Sequence, residues 1–244
     1  MPVSAERERQ PHAILDLDSR LLKARKIACL VERVRPLRGA RVLDIGAGSG
    51  HIASALGQLA GPDGTVWAVD VHDQRQTTDG YGFKHVGGTA LPFEPGSFDV
   101  VLSNHVIEHV GTRADQLEHL QEIRRVLDPS GVCYLAVPNR WVLLEPHFRL
   151  PFLSWLPEGL RDPYVRAARR GAHYDCNLPT REQAVRLFGE SGFEHEEVTI
   201  PAMRALKEIE APSLLVHLLC AAPTPVLRML LPVNPTMIFL LRPA

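Results

Sequence analysis

Short apolar runs alternate with amphipathic stretches through the middle of the chain. Residues 42–45, 65–70, 84–86, 98–103 and 132–137 are such runs, and each reads as a strand. Between them, residues 52–59 and 117–127 place apolar side chains at helical spacing. Gly61-Pro-Asp-Gly64 reads as a turn, and Asp128-Pro-Ser-Gly131 as the end of the second helix. Strands that are apolar throughout and separated by helices predict a parallel sheet covered on both faces. Upstream, residues 13–35 carry Ile14, Leu15, Leu21, Leu22, Ile27, Leu30, Val31 and Val34 at helical spacing, which predicts one or two N-terminal helices.

The alternation lapses after the fifth strand. Residues 139–179 are rich in Pro, Trp, Arg and Tyr and read as a cap insertion. A helix over 180–188 follows, with Thr180 as N-cap and Gln183 completing a capping box. Residues 193–200 read as a sixth strand, acidic near its start. Residues 201–231 read as an apolar, proline-interrupted insertion, and 237–241 as a closing seventh strand. The whole of 1–244 is expected to form one domain with these additions.

The most specific chemistry lies where the first strand ends. Asp44-Ile-Gly46-Ala-Gly48-Ser-Gly50 is a glycine turn that runs straight into a helix. Glycines let backbone approach a ligand closely, and helix-start N–H groups face it. The dinucleotide fingerprint G-x-G-x-x-G fails, because His51 stands at its third glycine, and the phosphate-binding P-loop fails because no Gly-Lys-Ser/Thr follows. Asp70 ends the second strand, 26 residues beyond Asp44, where a carboxylate offers two acceptor oxygens to a pair of ribose hydroxyls. The run from Val86 to Ser103 holds Thr89-Ala-Leu-Pro-Phe93, a turn, and Phe98-Asp-Val-Val.

Together these residues resemble class I S-adenosylmethionine-dependent methyltransferases of the small-molecule, methyltransferase-11-like kind. The specific motifs cover 40–138, and 180–241 follows the family in outline. The resemblance implies a Rossmann-like α/β fold. Its seven-stranded sheet is mostly parallel, with strand seven antiparallel, helices on both faces and cap insertions. It also implies S-adenosylmethionine as cofactor. The methionine part would meet Asp44, Gly46, Ala47, Gly48, Gly50, Asn104 and His105. The ribose would meet Asp70, with Val71 beside it, and the adenine would meet Thr89 and Ala90. Many relatives carry an adenine-binding Asp where this chain has Gly87. Glu108-His109 matches an acid–His pair that the family often has after strand four.

Such chemistry needs a nucleophile held in line with an activated methyl, and a base where the acceptor is a hydroxyl or amine. Histidine suits that task near neutral pH, and His147, His105 and His173 are the candidates. The favoured acceptor is a hydroxyl on an apolar or aromatic metabolite, with nitrogen or carbon acceptors and a non-catalytic cofactor-binding domain as alternatives. The cap holds both aromatics and arginines. It reads equally as a lid for an aromatic molecule bearing an anionic group and as a cap with its own aromatic core. Four roles stay open for 201–231: core packing, a pocket wall, a dimer contact, or rest on a membrane surface.

Composition narrows the classes further. Net charge is −1, and no Asn/Asp-Pro-Pro-Tyr/Phe motif follows strand four, which argues against a nucleic-acid partner. No apolar run approaches membrane-spanning length. The charged N-terminal residues lack a secretory signal's apolar core. Cys29, Cys133, Cys176 and Cys220 lie far apart without a C-x-x-C pair, so a reduced, cytoplasmic setting is expected. No ligand spacing among the His, Cys and acidic residues announces a metal.

Overall fold

A computed structural model describes residues 16–209 and 221–244. Seven strands form one sheet: β1 (Arg41–Ile45), β2 (Thr65–Asp70), β3 (Gly82–His85), β4 (Phe98–Asn104), β5 (Leu127–Pro138), β6 (Phe193–Glu197) and β7 (Thr236–Pro243). Their order is β3-β2-β1-β4-β5-β7-β6. Strands β1 to β5 pair in parallel, and β7 runs antiparallel to both of its neighbours, β5 and β6. This is the Rossmann-like sheet that the resemblance implied.

The strands are apolar throughout because each side chain alternately feeds one of two cores. Val132, Tyr134 and Ala136 of β5 enter one, with Ile238 and Leu240 of β7. Cys133, Leu135 and Val137 enter the other, with Met237, Phe239 and Leu241. Helices α1 (Leu17–Val31), α2 (His51–Ala60) and α6 (Thr199–Ile209) cover the first face, where α1 packs on α2 and α6. Helices α3 (Arg113–Val126) and α5 (Arg181–Glu190) cover the second. The edge strand β6 is marked by Glu194, His195, Glu196 and Glu197, charges that discourage further strand pairing.

Several boundaries differ from the sequence pattern for identifiable reasons. Helix α3 starts a turn earlier than 117, because Thr112 and Asp115 form a reciprocal capping box ahead of a polar first turn. Leu127 is already extended and pairs with Phe98, so the Asp128-Pro-Ser-Gly131 stretch enters β5 instead of forming a separate turn. A register shift between Phe98 and Val100 absorbs it. The sixth strand stops at Glu197, since the Thr199 hydroxyl accepts the Ile238 N–H at 3.0 Å and the chain turns into α6. The 201–231 segment thus opens as a helix that covers the sheet. Its residues 210–220 lie outside the described part, as do Ile14 and Leu15. It ends in α7 (Thr224–Leu230), where Met229 is exposed.

The cap at 139–179 carries a short helix, α4 (Glu158–Ala167), and a small core of its own. Val142, Phe148, Leu150, Leu153, Val165 and Tyr174 are buried in it, while Trp141, Phe152 and Trp155 stay exposed. No helix among the described residues is long and apolar enough to cross a membrane.

Candidate active site

Strand order reverses between β1 and β4, and the carboxyl ends of the parallel strands leave a crevice there. The glycine turn forms its floor. Gly46 and Ala47 donate to the Val69 carbonyl at 2.8 and 3.1 Å. Gly46 has φ +79°, and a Cβ there would stand 2.5 Å from the Val106 side chain, so only glycine passes so close to the exit of β4. Gly50 caps α2, also at φ +79°, and a Cβ there would run into the Tyr81 hydroxyl. No side chain caps α2, which leaves its first N–H groups turned toward the crevice.

Two carboxylates flank the turn. Asp44 is 3% exposed, and its Oδ2 has no hydrogen-bond partner. Burial, reinforced by the charge of Asp70 and opposed by Arg20 of α1, pushes its pKa up to about 8. Arg20 in turn is held below its ordinary value by burial, against the pull of Asp44. Asp70 accepts the Gly48 N–H at 2.8 Å through one oxygen and the His72 N–H at 3.1 Å through the other. It braces both the turn and the following loop, and keeps acceptor capacity to spare. Val71, half-buried, begins that loop.

The third wall is the segment after β3. Thr89 is half-buried, Ala90 exposed and Leu91 buried. The Leu91 N–H donates to Glu122 of α3 at 2.8 Å, and Arg125 donates to the Leu91 and Phe93 carbonyls at 2.8 and 2.7 Å. Glu122 and Arg125 also pair with each other, at 2.7 Å. A Cβ at Gly87 or Gly88 would meet nothing within 4 Å, so the chain is open on that side.

The fourth wall is the exit of β4. Asn104 ends the strand opposite Ala136. His105 follows at φ +59°, a conformation that non-glycine residues adopt at a cost, and its N–H is held by the Ala136 carbonyl at 2.9 Å. Beneath it lies Glu108, fully buried, with neither oxygen hydrogen-bonded. Three imidazoles surround its Oε1: His105 Nδ1 at 3.4 Å, His147 Nε2 at 3.8 Å and His109 Nε2 at 4.0 Å. Burial works to raise the Glu108 pKa, but the histidines overcome it and hold the carboxyl below its ordinary value. For His105 burial wins over Glu108, so its pKa is lowered. Burial also opposes charge on His147, yet the 2.8 Å bond to Glu145 and the charge of Glu108 raise it.

The structure therefore brings His105 and His147 to one carboxylate. His173 lies outside that set; its buried Nε2 has no hydrogen-bond partner. Arg20, Glu122, Arg125 and Glu145 were not visible as site residues in the sequence. Arg20 sits in a helix read for its apolar stripe, and Glu122 and Arg125 form an ordinary i,i+3 pair on a polar face. A separate cavity of about 540 Å³ lies at the ends of β5 and β6, lined by Asn139, Trp141, Arg181, Ile200, Arg228 and Leu231 among others. It shares no residue with the turn.

A family model described as a methyltransferase domain matches residues 43–135. A demethylmenaquinone methyltransferase of Staphylococcus aureus is 30% identical, over 64% of this chain and 68% of that protein. The chain belongs to the class I S-adenosylmethionine-dependent methyltransferases. A ubiquinone biosynthesis O-methyltransferase of Parvibaculum lavamentivorans is 31% identical over 53% of each chain, so the match spans about half of that relative's length. A crystal structure titled as a putative sarcosine dimethylglycine methyltransferase from Galdieria sulphuraria shares the fold. It has a TM-score of 0.56 and 16% identity, over 91% of this chain and 85% of that one.

The cofactor of this methyltransferase is S-adenosylmethionine, and the crevice fits it on its own terms. A buried carboxylate oxygen lacks a donor, glycines leave backbone exposed to a ligand, and a helix start is uncapped. Arg125→Ala removes two of the bonds that hold the Leu91–Phe93 backbone and leaves those to Glu122 and Lys84. It is expected to weaken S-adenosylhomocysteine binding about tenfold, a loss of 1–2 kcal/mol, while the folded state persists. Calorimetric titration checks this.

Proposed function

We propose that this methyltransferase transfers the methyl group to a hydroxyl oxygen of a small apolar or aromatic acceptor of quinone-precursor type. The observation that carries the reading is His105, held in left-handed backbone at the exit of β4 and set against the buried carboxylate of Glu108. An imidazole so placed, and below its ordinary pKa, is neutral near pH 7 and free to take a proton. The names of two relatives, which place them on quinones, support the acceptor class.

The bound cofactor supplies a methyl already activated on a sulfonium. The chain's own residues do the rest. Asp44 would receive the ammonium of the methionine part, and Arg20 its carboxylate. The N–H groups of Gly46 to Gly50, with Ala47 between, would lie along the same part, and Asn104 at its end. Asp70 would accept from the ribose hydroxyls beside Val71, and Thr89 and Ala90 would flank the adenine. His105 accepts the hydroxyl proton as the new C–O bond forms, and Glu108 orients its ring and steadies the charge it gains. His147 is the less exposed of the two imidazoles, and its nitrogens face Glu145 and Glu108. The base role therefore falls to His105 and not to His147 or His173.

The test uses cofactor carrying a labelled methyl and a set of catechol, hydroquinone and naphthoquinol acceptors. Label is expected on oxygen. His105→Asn is expected to lower kcat about 10²–10⁴-fold, well beyond any change in cofactor affinity at the methionine end that His105 also borders. Label on ring carbon or nitrogen, or unchanged turnover in the variant, would overturn the reading.

A further inference from the structure

We propose that His109, His147 and Cys176 form a binding site for a divalent cation of the zinc class, which fastens the cap to the exit of β4. One ligating atom from each residue lies within 4.8 Å of the other two. Tetrahedral zinc with nitrogen and sulfur ligands holds neighbouring ligand atoms roughly 3.3–3.8 Å apart. Cys176 Sγ already stands 3.8 Å from His109 Nδ1, and the two imidazole rings meet edge to face at 87°. A closure of at most about 1.5 Å would seat the ion.

The surroundings are those of a ligand set. Glu145 takes the His147 Nδ1–H at 2.8 Å, and its other oxygen accepts the backbone N–H groups of His147 and Phe148 at 2.9 and 2.7 Å. That fixes the ring and leaves Nε2 as the donor atom toward a cation, the usual office of a carboxylate behind a metal-bound histidine. Glu108 and Glu145 are both 0% exposed, and among the described residues their ion-pair partners are histidines alone. Only imidazoles offset these two buried carboxylates among the described residues, and a dication would compensate them more fully. The neither-oxygen-bonded state of Glu108 is the sign of that deficit.

The three residues come from separate places. His109 closes the short helical turn Ile107–His109 after β4, whereas His147 and Cys176 stand in the first and last parts of the cap. One ion would thus tie both arms of the cap to the segment that carries His105. The proposal does not depend on which acceptor is methylated.

The experiment uses the whole chain in a Cys29→Ser, Cys220→Ser background, so that Cys133, in the sheet core, and Cys176 are the remaining thiols. Protein purified without chelator is expected to hold about one zinc per chain by elemental analysis. After chelator treatment, cobalt(II) is expected to develop a thiolate-to-metal charge-transfer band that saturates at one equivalent and is absent when Cys176→Ser is added. Glu145→Gln is expected to weaken cobalt binding about 10–100-fold while keeping the band. S-adenosylhomocysteine binding, which depends on the glycine turn, verifies that each variant is folded. Substoichiometric metal with no charge-transfer band on titration would overturn the proposal, and so would a band that survives Cys176→Ser.

Discussion

Asp44→Asn is expected to stabilise the cofactor-free protein and to weaken cofactor binding at the same time. Burial and the charge of Asp70 raise the Asp44 pKa from 3.8 to about 8 in the folded state, with Arg20 opposing. The folded protein therefore holds a proton that the unfolded chain releases near pH 4. Where the native state binds the extra proton, stability falls as pH rises, by at most about 1.4 kcal/mol per pH unit. The loss runs between roughly pH 4 and pH 8 and then levels off. A neutral asparagine of the same shape has no proton to lose. Denaturant unfolding of the two proteins should diverge across that window, with the variant more stable by several kcal/mol at pH 8. Against this, the variant cannot pair with an ammonium group, and S-adenosylhomocysteine affinity should fall about 10–100-fold, as for a charge-assisted bond worth 1.5–3 kcal/mol. Parallel stability curves would show that Asp44 is not the buried acid described here.

Asp70→Ala is expected to produce the larger loss of affinity. The side chain holds the Gly48 and His72 N–H groups while still offering lone pairs to a ribose. Its removal takes away two bonds to ligand hydroxyls and leaves the glycine turn unbraced. At about 1.5–3 kcal/mol for each bond to a charged group, affinity should fall 10²–10⁴-fold. Asp70→Asn, which keeps one acceptor oxygen, should lie between alanine and the parent. A loss smaller than tenfold in the alanine variant, measured by calorimetry, would separate Asp70 from the cofactor.

What the sequence disclosed and what it hid follow from how far apart the partners stand. Asp44, Gly46, Gly48 and Gly50 are neighbours in the chain and form one local turn, so the turn was legible. The strands were legible because continuous apolar runs such as 132–137 have few other uses. Glu122 and Arg125 were not, since their meaning lies in the Leu91 and Phe93 backbone about 30 residues away, where no side-chain signal marks it. Nor was the gathering of His109, His147 and Cys176, which are spread from the exit of β4 to the end of the cap. The start of α3 was missed because its first turn is polar and its evidence is a cap, Thr112 with Asp115, that apolar periodicity does not register.

The place of β7 between β5 and β6 bears on the order of assembly during synthesis. Strands β1 to β5 are contiguous in the sheet and can pair as they emerge. β6 cannot join them, because its one sheet neighbour among the described residues, β7, is made after it. Until residues 236–243 have left the ribosome, the outer edge of β5 is bare and β6 is an orphan. The nascent chain therefore passes through a stage with two unpaired strand edges, and chaperone engagement or aggregation should concentrate there. A nascent chain arrested before β7 should be protease-sensitive through 193–197, and release of the last strand should protect that segment and the β5 edge together.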